Sequence, residues 1–297
     1  DVLSQDLVER VARDFSMQAK HVSYSGLKDK QALTRQWLSL HLPGKQGKMQ
    51  MPEVEEYRII EFGWHNRKLH RGTHQFNHFE VLLREIETLP AATQQQLQSL
   101  EQQGFANYFG EQRFGRRQDN VEQALKQLSG RKLGRNKKGL YLSSLRSFLF
   151  NQVLAERIRR GHWQEPLQGD QQLYYAGDVF MLDGSHSIFS DTVDETLLQR
   201  FRSQDIHSTA SLYGSGESAL SGEALELEEA VFSQYPELCQ CLDRQGVKRQ
   251  MRATRVAARD FSFRFDEQAK TLLLQLRLPA GCYLTSLIDH FAKTRQV

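Results

Sequence analysis

Cysteine is scarce in this chain. The 297 residues contain only three, Cys239, Cys241 and Cys282. An odd count without framework spacing excludes a disulfide scaffold. No Cys/His pair stands near Cys239 and Cys241, so they do not read as a zinc site. They read as reduced, partly buried thiols. Long apolar runs are missing too: none approaches the roughly 18 residues a membrane helix needs. The first residues lack the pattern of a signal peptide. A cytoplasmic protein without a membrane partner is expected. Internal repeats and low-complexity segments are absent.

Net charge is also small, at +3, but it is unevenly spread. Residues 111–146 hold ten bases (Arg113, Arg116, Arg117, Lys126, Arg131, Lys132, Arg135, Lys137, Lys138, Arg146) against three acids (Glu111, Asp119, Glu122). That stretch carries +7, which leaves −4 for the rest of the chain. A second basic run holds Arg244, Lys248, Arg249, Arg252, Arg255 and Arg259. Positive charge concentrated on a near-neutral protein marks a polyanion site. A solvated helix face would produce the same count.

What is present suffices for a core. Hydrophobic residues make up 39 % and charged residues 25 %, enough for one large domain or two medium ones. The chain opens on Asp1 and enters a helical pattern at once, so a preceding segment is expected outside it.

Residues 5–18 read as an amphipathic helix, 21–24 as a short strand and 25–30 as a loop. Residues 33–42 alternate and stop at the turn signal Pro43-Gly44. Residues 56–64 and 78–86 read as two further strands. Beyond Leu89 the character changes. Helices are expected at 94–103, 119–128, 141–160 and 223–232, with short strands in 177–189. After Arg259 the strand pattern returns: Phe261, Phe263 and Phe265 alternate, and 271–278 pairs back as a hairpin. A short helix at 284–293 follows. Sheet, helical block, sheet is most simply an α+β domain interrupted by a second, largely helical one.

Several candidate chemistries fail on their context. His70, His74 and His78 would share a face only on a helix, and Gly72 argues against one. An exposed basic hairpin, with no metal, fits better. Gly214-Ser215-Gly216 lacks the third glycine and the Lys of a nucleotide loop and reads as a turn. There is no Gly-x-Ser-x-Gly elbow.

Asp29 differs. It sits in the loop Gly26-Leu27-Lys28-Asp29-Lys30, just after a strand, where catalytic groups often lie. The flanking lysines favour the carboxylate form, and a positioned carboxylate can act as nucleophile or base. On local physics alone the segment reads first as a polar turn.

Ser25-Gly26-Leu27-Lys28-Asp29-Lys30, with Thr34, Gln36 and Trp37 after it, closely resembles the signature of the tRNA pseudouridine synthase D family. Asn77-His78-Phe79 resembles that family's Asn-x-Phe element. Asn107-Tyr108-Phe109-Gly110 through Gln112-Arg113-Phe114-Gly115 resembles its most distinctive motif. Leu142-Ser143 with Arg146-Ser147 and Phe150-Asn151, and then Leu278-Pro279-Ala280-Gly281-Cys282-Tyr283, follow in order. The resemblance implies a pseudouridine-synthase-type mixed sheet domain, residues 1–103 and 258–297, interrupted by an insertion domain at 104–257.

It also implies the reaction, the isomerisation of a tRNA uridine (uridine 13 in the bacterial family) to pseudouridine. Asp29 is the matching nucleophile. Whether it attacks ribose or base stays open. Phe79 and Tyr283 are the candidate platforms for a flipped base, and Asn77 can read a uracil edge. By itself Phe79 reads as a core strand position. Lys28 and Arg113 are candidate supports, Arg113 holding phosphate or the carboxylate. The stretch 113–146 would grip the tRNA backbone. A monomer without cofactor or metal is expected, since an isomerisation consumes neither redox equivalents nor energy. Phe76 stands where the family usually has Gly, and Tyr283 where Phe is common. The family's N-terminal acidic-Phe motif is not visible here, so that segment lies outside the sequence or is missing.

Two rivals use the same residues. A non-catalytic RNA-binding protein would share the basic patches, but a carboxylate facing a polyanion would repel it. A glycoside or nucleoside hydrolase normally wants two carboxylates about 5–10 Å apart, and no second acid carries comparable signal.

Overall fold

The structure, a computed structural model, describes residues 4–29, 32–42, 44, 51, 52, 54, 56–115, 117–128, 133–176, 179–180, 188–189 and 193–292. Its strands are β1 (Val22–Tyr24), β2 (Leu38–Leu40), β3 (Phe76–Arg84), β4 (Phe105–Ala106), β5 (Gln171–Ala176), β6 (Val179–Phe180), β7 (Ile188–Phe189), β8 (Ile206–Leu212), β9 (Gln250–Ala253), β10 (Arg255–Val256), β11 (Arg259–Asp266) and β12 (Thr271–Pro279). Its α-helices are α1 (Ser4–Asp14), α2 (Ala91–Gln103), α3 (Asn120–Leu128), α4 (Arg135–Arg159), α5 (Glu195–Arg202), α6 (Gly222–Phe232), α7 (Pro236–Arg244) and α8 (Leu284–Ile288). No helix among the described residues is long and apolar enough to cross a membrane. The chain divides into two compact units, Asp1–Gln75 and Phe76–Val297.

In the first unit α1 turns its apolar stripe inward. Val11 and Ala12 are buried and pack with Val22, with Leu7, Val8, Phe15, Leu38 and Leu40 around them. β1 and β2 pair antiparallel, Ser23 opposite Ser39. The strand expected over 33–42 contracts to β2. The strand expected over 56–64 does not form: the segment has no ladder among the described residues. Ile60 is 65 % exposed and Phe62 64 %. Alternation marks a strand only where a partner edge accepts its backbone groups. The segment's start is held to α1, the Tyr57 hydroxyl donating to Asp14 Oδ2 at 2.9 Å and Glu56 pairing with Arg10 at 2.7 Å.

The second unit opens and closes on one antiparallel sheet of order β11-β12-β3. The expected hairpin is β11–β12, with Phe263 opposite Leu274. β12 then takes β3 on its other edge, Phe79 opposite Leu276 and Asn77 opposite Leu278. Leu272, Leu274, Leu276 and Leu278 form one core with Leu97 and Leu100 of α2.

The chain between β3 and β11 leaves this sheet and returns to it. Its centre is the long helix α4, whose Leu145, Leu149, Phe150, Val153 and Leu154 are buried among α3, α6 and α7. The block is not helical alone. It carries an antiparallel sheet of order β6-β5-β8-β9, with β7 also pairing to β5. The sequence hid β8 because Ile206 to Ser211 are all buried. With both faces covered there is no alternation, and its His and Ser side chains read as loop. Their polar groups are satisfied internally. Buried Glu228 of α6 accepts from Ser211 N at 2.7 Å and from Ser211 Oγ at 2.6 Å. A second internal lock joins Arg157 of α4 to Asp170 through paired bonds of 2.7 and 2.5 Å.

Candidate active site

Asp29 belongs to the first unit, in the loop after β1, and its side chain is exposed. The loop beneath it is held at several points. The backbone N of Lys28 donates to Ser4 Oγ at 2.9 Å, on the first turn of α1. Gly72 N donates to the Ser25 carbonyl at 2.7 Å, and the hydroxyls of Ser25 and Thr73 lie 3.1 Å apart. Arg71 Nη2 donates to the Tyr24 hydroxyl at 2.8 Å. Gly26 lies against His74, and a Cβ there would come within 2.8 Å of the ring. That contact explains the glycine. An exposed carboxylate on a pinned loop is the arrangement a nucleophile needs.

The neighbouring titratable groups are also shaped by burial. Desolvation lowers the pKa of Lys28, with Asp29 opposing. Desolvation, then the Lys28 cation, lowers that of His74. His74 therefore favours the neutral form and leaves Lys28 as the cation next to Asp29. Lys30 lies outside the described residues.

The other candidates belong to the second unit. Asn77 and Phe79 lie at the start of β3, beside the end of β12. Both are half-buried. Phe79 packs on the core of α2 and β12 together with Val81 and Leu83. β12 runs through Pro279 into Ala280, Gly281, Cys282 and Tyr283, and Tyr283 caps α8.

Tyr283 and Arg113 meet directly. Arg113 Nη2 donates to the Tyr283 hydroxyl at 2.5 Å, and Nη1 donates to Ser143 Oγ at 3.0 Å. The guanidinium lies 5.3 Å from the Phe109 ring centre and 5.9 Å from that of Tyr283. These contacts orient Arg113 within the wall rather than toward bulk solvent.

The turn that carries Phe109 is held by two asparagines. Asn107, 2 % exposed, donates through Nδ2 to the Ala253 carbonyl at 2.8 Å. Asn151 of α4 binds both backbone groups of Phe109, each at 2.9 Å. Ser286 Oγ of α8 donates to the Tyr108 carbonyl at 2.8 Å. At Gly110 a Cβ would lie 2.6 Å from Thr285 Oγ1. The two motif segments, 107–115 and 278–283, thus form one wall.

The residue that the sequence reading missed is Arg252. It appeared only as one charge in the second basic run. Its Nη2 donates to Asn107 Oδ1 at 2.6 Å and its Nη1 to the Gly281 carbonyl at 3.2 Å. Its guanidinium carbon lies 4.0 Å from the Phe109 ring centre.

Other arginines of the basic stretches also point inward. Arg146 donates to the carbonyls of Tyr213, Leu212 and Lys248. Arg249 pairs with Glu228 at 3.3 Å. Arg255 donates to the Phe201 carbonyl at 2.5 Å. The polyanion reading of the second run therefore rests on less charge than its count, with Arg244 and Lys248 exposed. Along 113–146, Arg117, Arg135 and Lys137 are exposed and Lys138 is half-buried. Arg116, Arg131 and Lys132 lie outside the described residues.

Smaller expectations can be placed as well. His70 and His78 are exposed, while His74 packs on Gly26. Gly214-Ser215-Gly216 is a turn, with Ser215 N donating to the Val247 carbonyl at 2.7 Å. Cys239 and Cys241 are buried and Cys282 is partly buried.

The family model described as tRNA pseudouridine synthase D (TruD) matches residues 1–128 and 118–291. The tRNA pseudouridine synthase D of Colwellia psychrerythraea is 36 % identical over 293 residues, covering 95 % of this chain and 77 % of the relative. That of Pseudomonas putida strain W619 is 38 % identical over 291 residues, covering 97 % and 80 %. A solved structure of a proposed tRNA pseudouridine synthase D from Methanosarcina mazei superimposes with a TM-score of 0.68 at 20 % identity. It covers 99 % of this chain and 86 % of that one. At that identity the likeness speaks to the fold.

Proposed function

The chain belongs to the tRNA pseudouridine synthase D family, isomerases that act on tRNA, and from that premise we propose that it converts uridine 13 of tRNA to pseudouridine with Asp29 as the nucleophile. The observation that carries the assignment of Asp29 is its loop. An exposed carboxylate stands on backbone fixed by Ser4, Gly72 and the His74 ring.

In the reaction the N1–C1′ bond breaks, the base turns, and a C5–C1′ bond forms. C5 loses a proton and N1 gains one, so composition is unchanged and no cofactor is called for. Attack at ribose or at base gives the same balance. The uridine is first flipped out of the folded RNA. Tyr283 and Phe79 serve as stacking surfaces, worth about 1–3 kcal/mol per base, and Asn77 reads the uracil edge. The Phe79 role requires the exposed part of its ring, since the rest packs on the core. Lys28 supports the carboxylate and Arg113 orients Tyr283.

Residues 1–103 and 258–297 form the catalytic domain and 104–257 the insertion. The pairing of β3 with β12 supports the part of this division that lies in the second unit, because it joins residues 76–84 to 271–279 around the intervening block. The protein acts as a cytoplasmic monomer.

Chemical mapping of pseudouridine in unmodified tRNA tests the reading. Wild-type protein forms it, and Asp29→Asn does not, while still binding tRNA. Full activity in Asp29→Asn removes the mechanism. Release of free uracil would mark a hydrolase, and binding without any product the non-catalytic alternative.

A further inference from the structure

We propose that Arg252 is a positioning residue that sets Tyr283 against the substrate base, a role that rests on the reading of the site given above. Arg252 stands on β9, anchored in the five-stranded sheet by pairing with Ala210 of β8. Its side chain reaches both motif segments of the wall. It donates to Asn107 Oδ1 on one and to the Gly281 carbonyl on the other. Gly281 adopts φ +83°, a conformation that glycine tolerates and other residues resist. Two residues later the chain reaches Tyr283. Arg252 is thus a strut between the intervening block and the turn that carries the stacking ring.

Stability alone does not explain this choice. Taking a guanidinium out of water is costly, and an acidic partner usually offsets part of the cost. Arg252 has neutral partners: two carbonyl groups, an amide oxygen and the Phe109 and Phe150 rings. Arg113 lies over the same Phe109 ring. Among the described residues neither cation pairs with a carboxylate. Apolar side chains would fill the space at lower cost but would not bind two loops in fixed register. A planar fork does so, and an ammonium does not.

Arg252→Lys keeps the charge and loses the fork. Without tRNA, amide hydrogen exchange over residues 279–286 is expected to rise, with far-ultraviolet dichroism unchanged. With tRNA, kcat for pseudouridine formation is expected to fall about tenfold or more while KM stays within about threefold. The salt dependence of tRNA binding should not change. Gly281→Ala attacks the same joint from the carbonyl side and should give the same split if Arg252→Lys does not fold.

A kcat within twofold of wild type in both variants overturns the proposal. So does a higher KM with a flatter salt slope, which would make Arg252 a phosphate contact. If the wild-type protein forms no pseudouridine in any tRNA, the functional reading fails. The exchange measurement then still decides the strut: a rise over 279–286 in Arg252→Lys supports it, and unchanged exchange refutes it.

Discussion

Replacing Asp170 with Asn should destabilise the second unit out of proportion to the change of one atom. Arg157 is 1 % exposed and Asp170 0 %. The two share paired bonds of 2.7 and 2.5 Å, and Asp170 Oδ2 also accepts from Leu167 N at 2.8 Å. Asp170→Asn keeps the shape and leaves a buried guanidinium without its counter-charge. Breaking such a pair from one side costs about 3–5 kcal/mol, a large part of the roughly 5–15 kcal/mol that holds a domain folded. For a unit of this size each kcal/mol lowers Tm by about 2–4 °C, so the fall should be about 6–20 °C. Differential scanning calorimetry at neutral pH reads it directly. The double variant Arg157→Met with Asp170→Leu removes both charges and should recover most of the loss, since a buried pair replaced by apolar groups is often neutral. A single variant that melts within about 2 °C of wild type would refute the reasoning, because at that scale the shift is under about 1 kcal/mol.

Two further outcomes follow from other sites. His207, fully buried, accepts from Arg255 Nε at 3.3 Å and lies 3.2 Å from the Gln204 carbonyl. Burial, then the Arg255 cation, holds its pKa well below the ordinary histidine value. The unfolded chain therefore binds a proton that the folded chain refuses. The stability from this group is present above about pH 6.5 and is lost below it by up to about 1.4 kcal/mol per pH unit. Urea midpoints between pH 7.5 and 5.5 should fall for wild type and fall less for His207→Gln; equal slopes would exclude His207 as the source. Charge reversal at Arg135, Lys137 and Lys138 should weaken tRNA binding and reduce its salt slope by up to about 3, as read by filter binding from low to moderate salt. Unchanged binding would remove that helix start from the RNA surface.

What was legible in the sequence depended on which faces water touches. Phe261, Phe263 and Phe265 alternate because one face of β11 is covered and the other wet, so the hairpin could be read. β8 is covered on both faces and gave no period. Residues 56–64 have the period and no partner edge among the described residues, so the same signal misled. The site divides in a similar way. Asp29, Asn77, Phe79, Arg113 and Tyr283 could be put forward as candidates from the sequence because they sit in motifs with a family likeness. Arg252 was not, because a count of charges does not say where a guanidinium points. A signal existed for Arg255, set in the run Ala253-Thr254-Arg255-Val256-Ala257-Ala258. A cation amid small and apolar residues is more often internal than solvated.

The pairing of β3 with β12 bears on how the protein is made. About 190 residues separate the end of β3 from the start of β12, and at about 5–20 residues per second a ribosome takes roughly 10–40 s to deliver the partner. Through that interval β3 is a bare edge, the kind of surface that recruits other chains. Its solvent side carries His78, Glu80, Leu82 and Arg84, and the charged or titratable side chains on either side of Leu82 discourage such recruitment. The sheet that holds Asn77 and Phe79 can close only after the intervening block has been synthesised, so the nascent chain completes this sheet late.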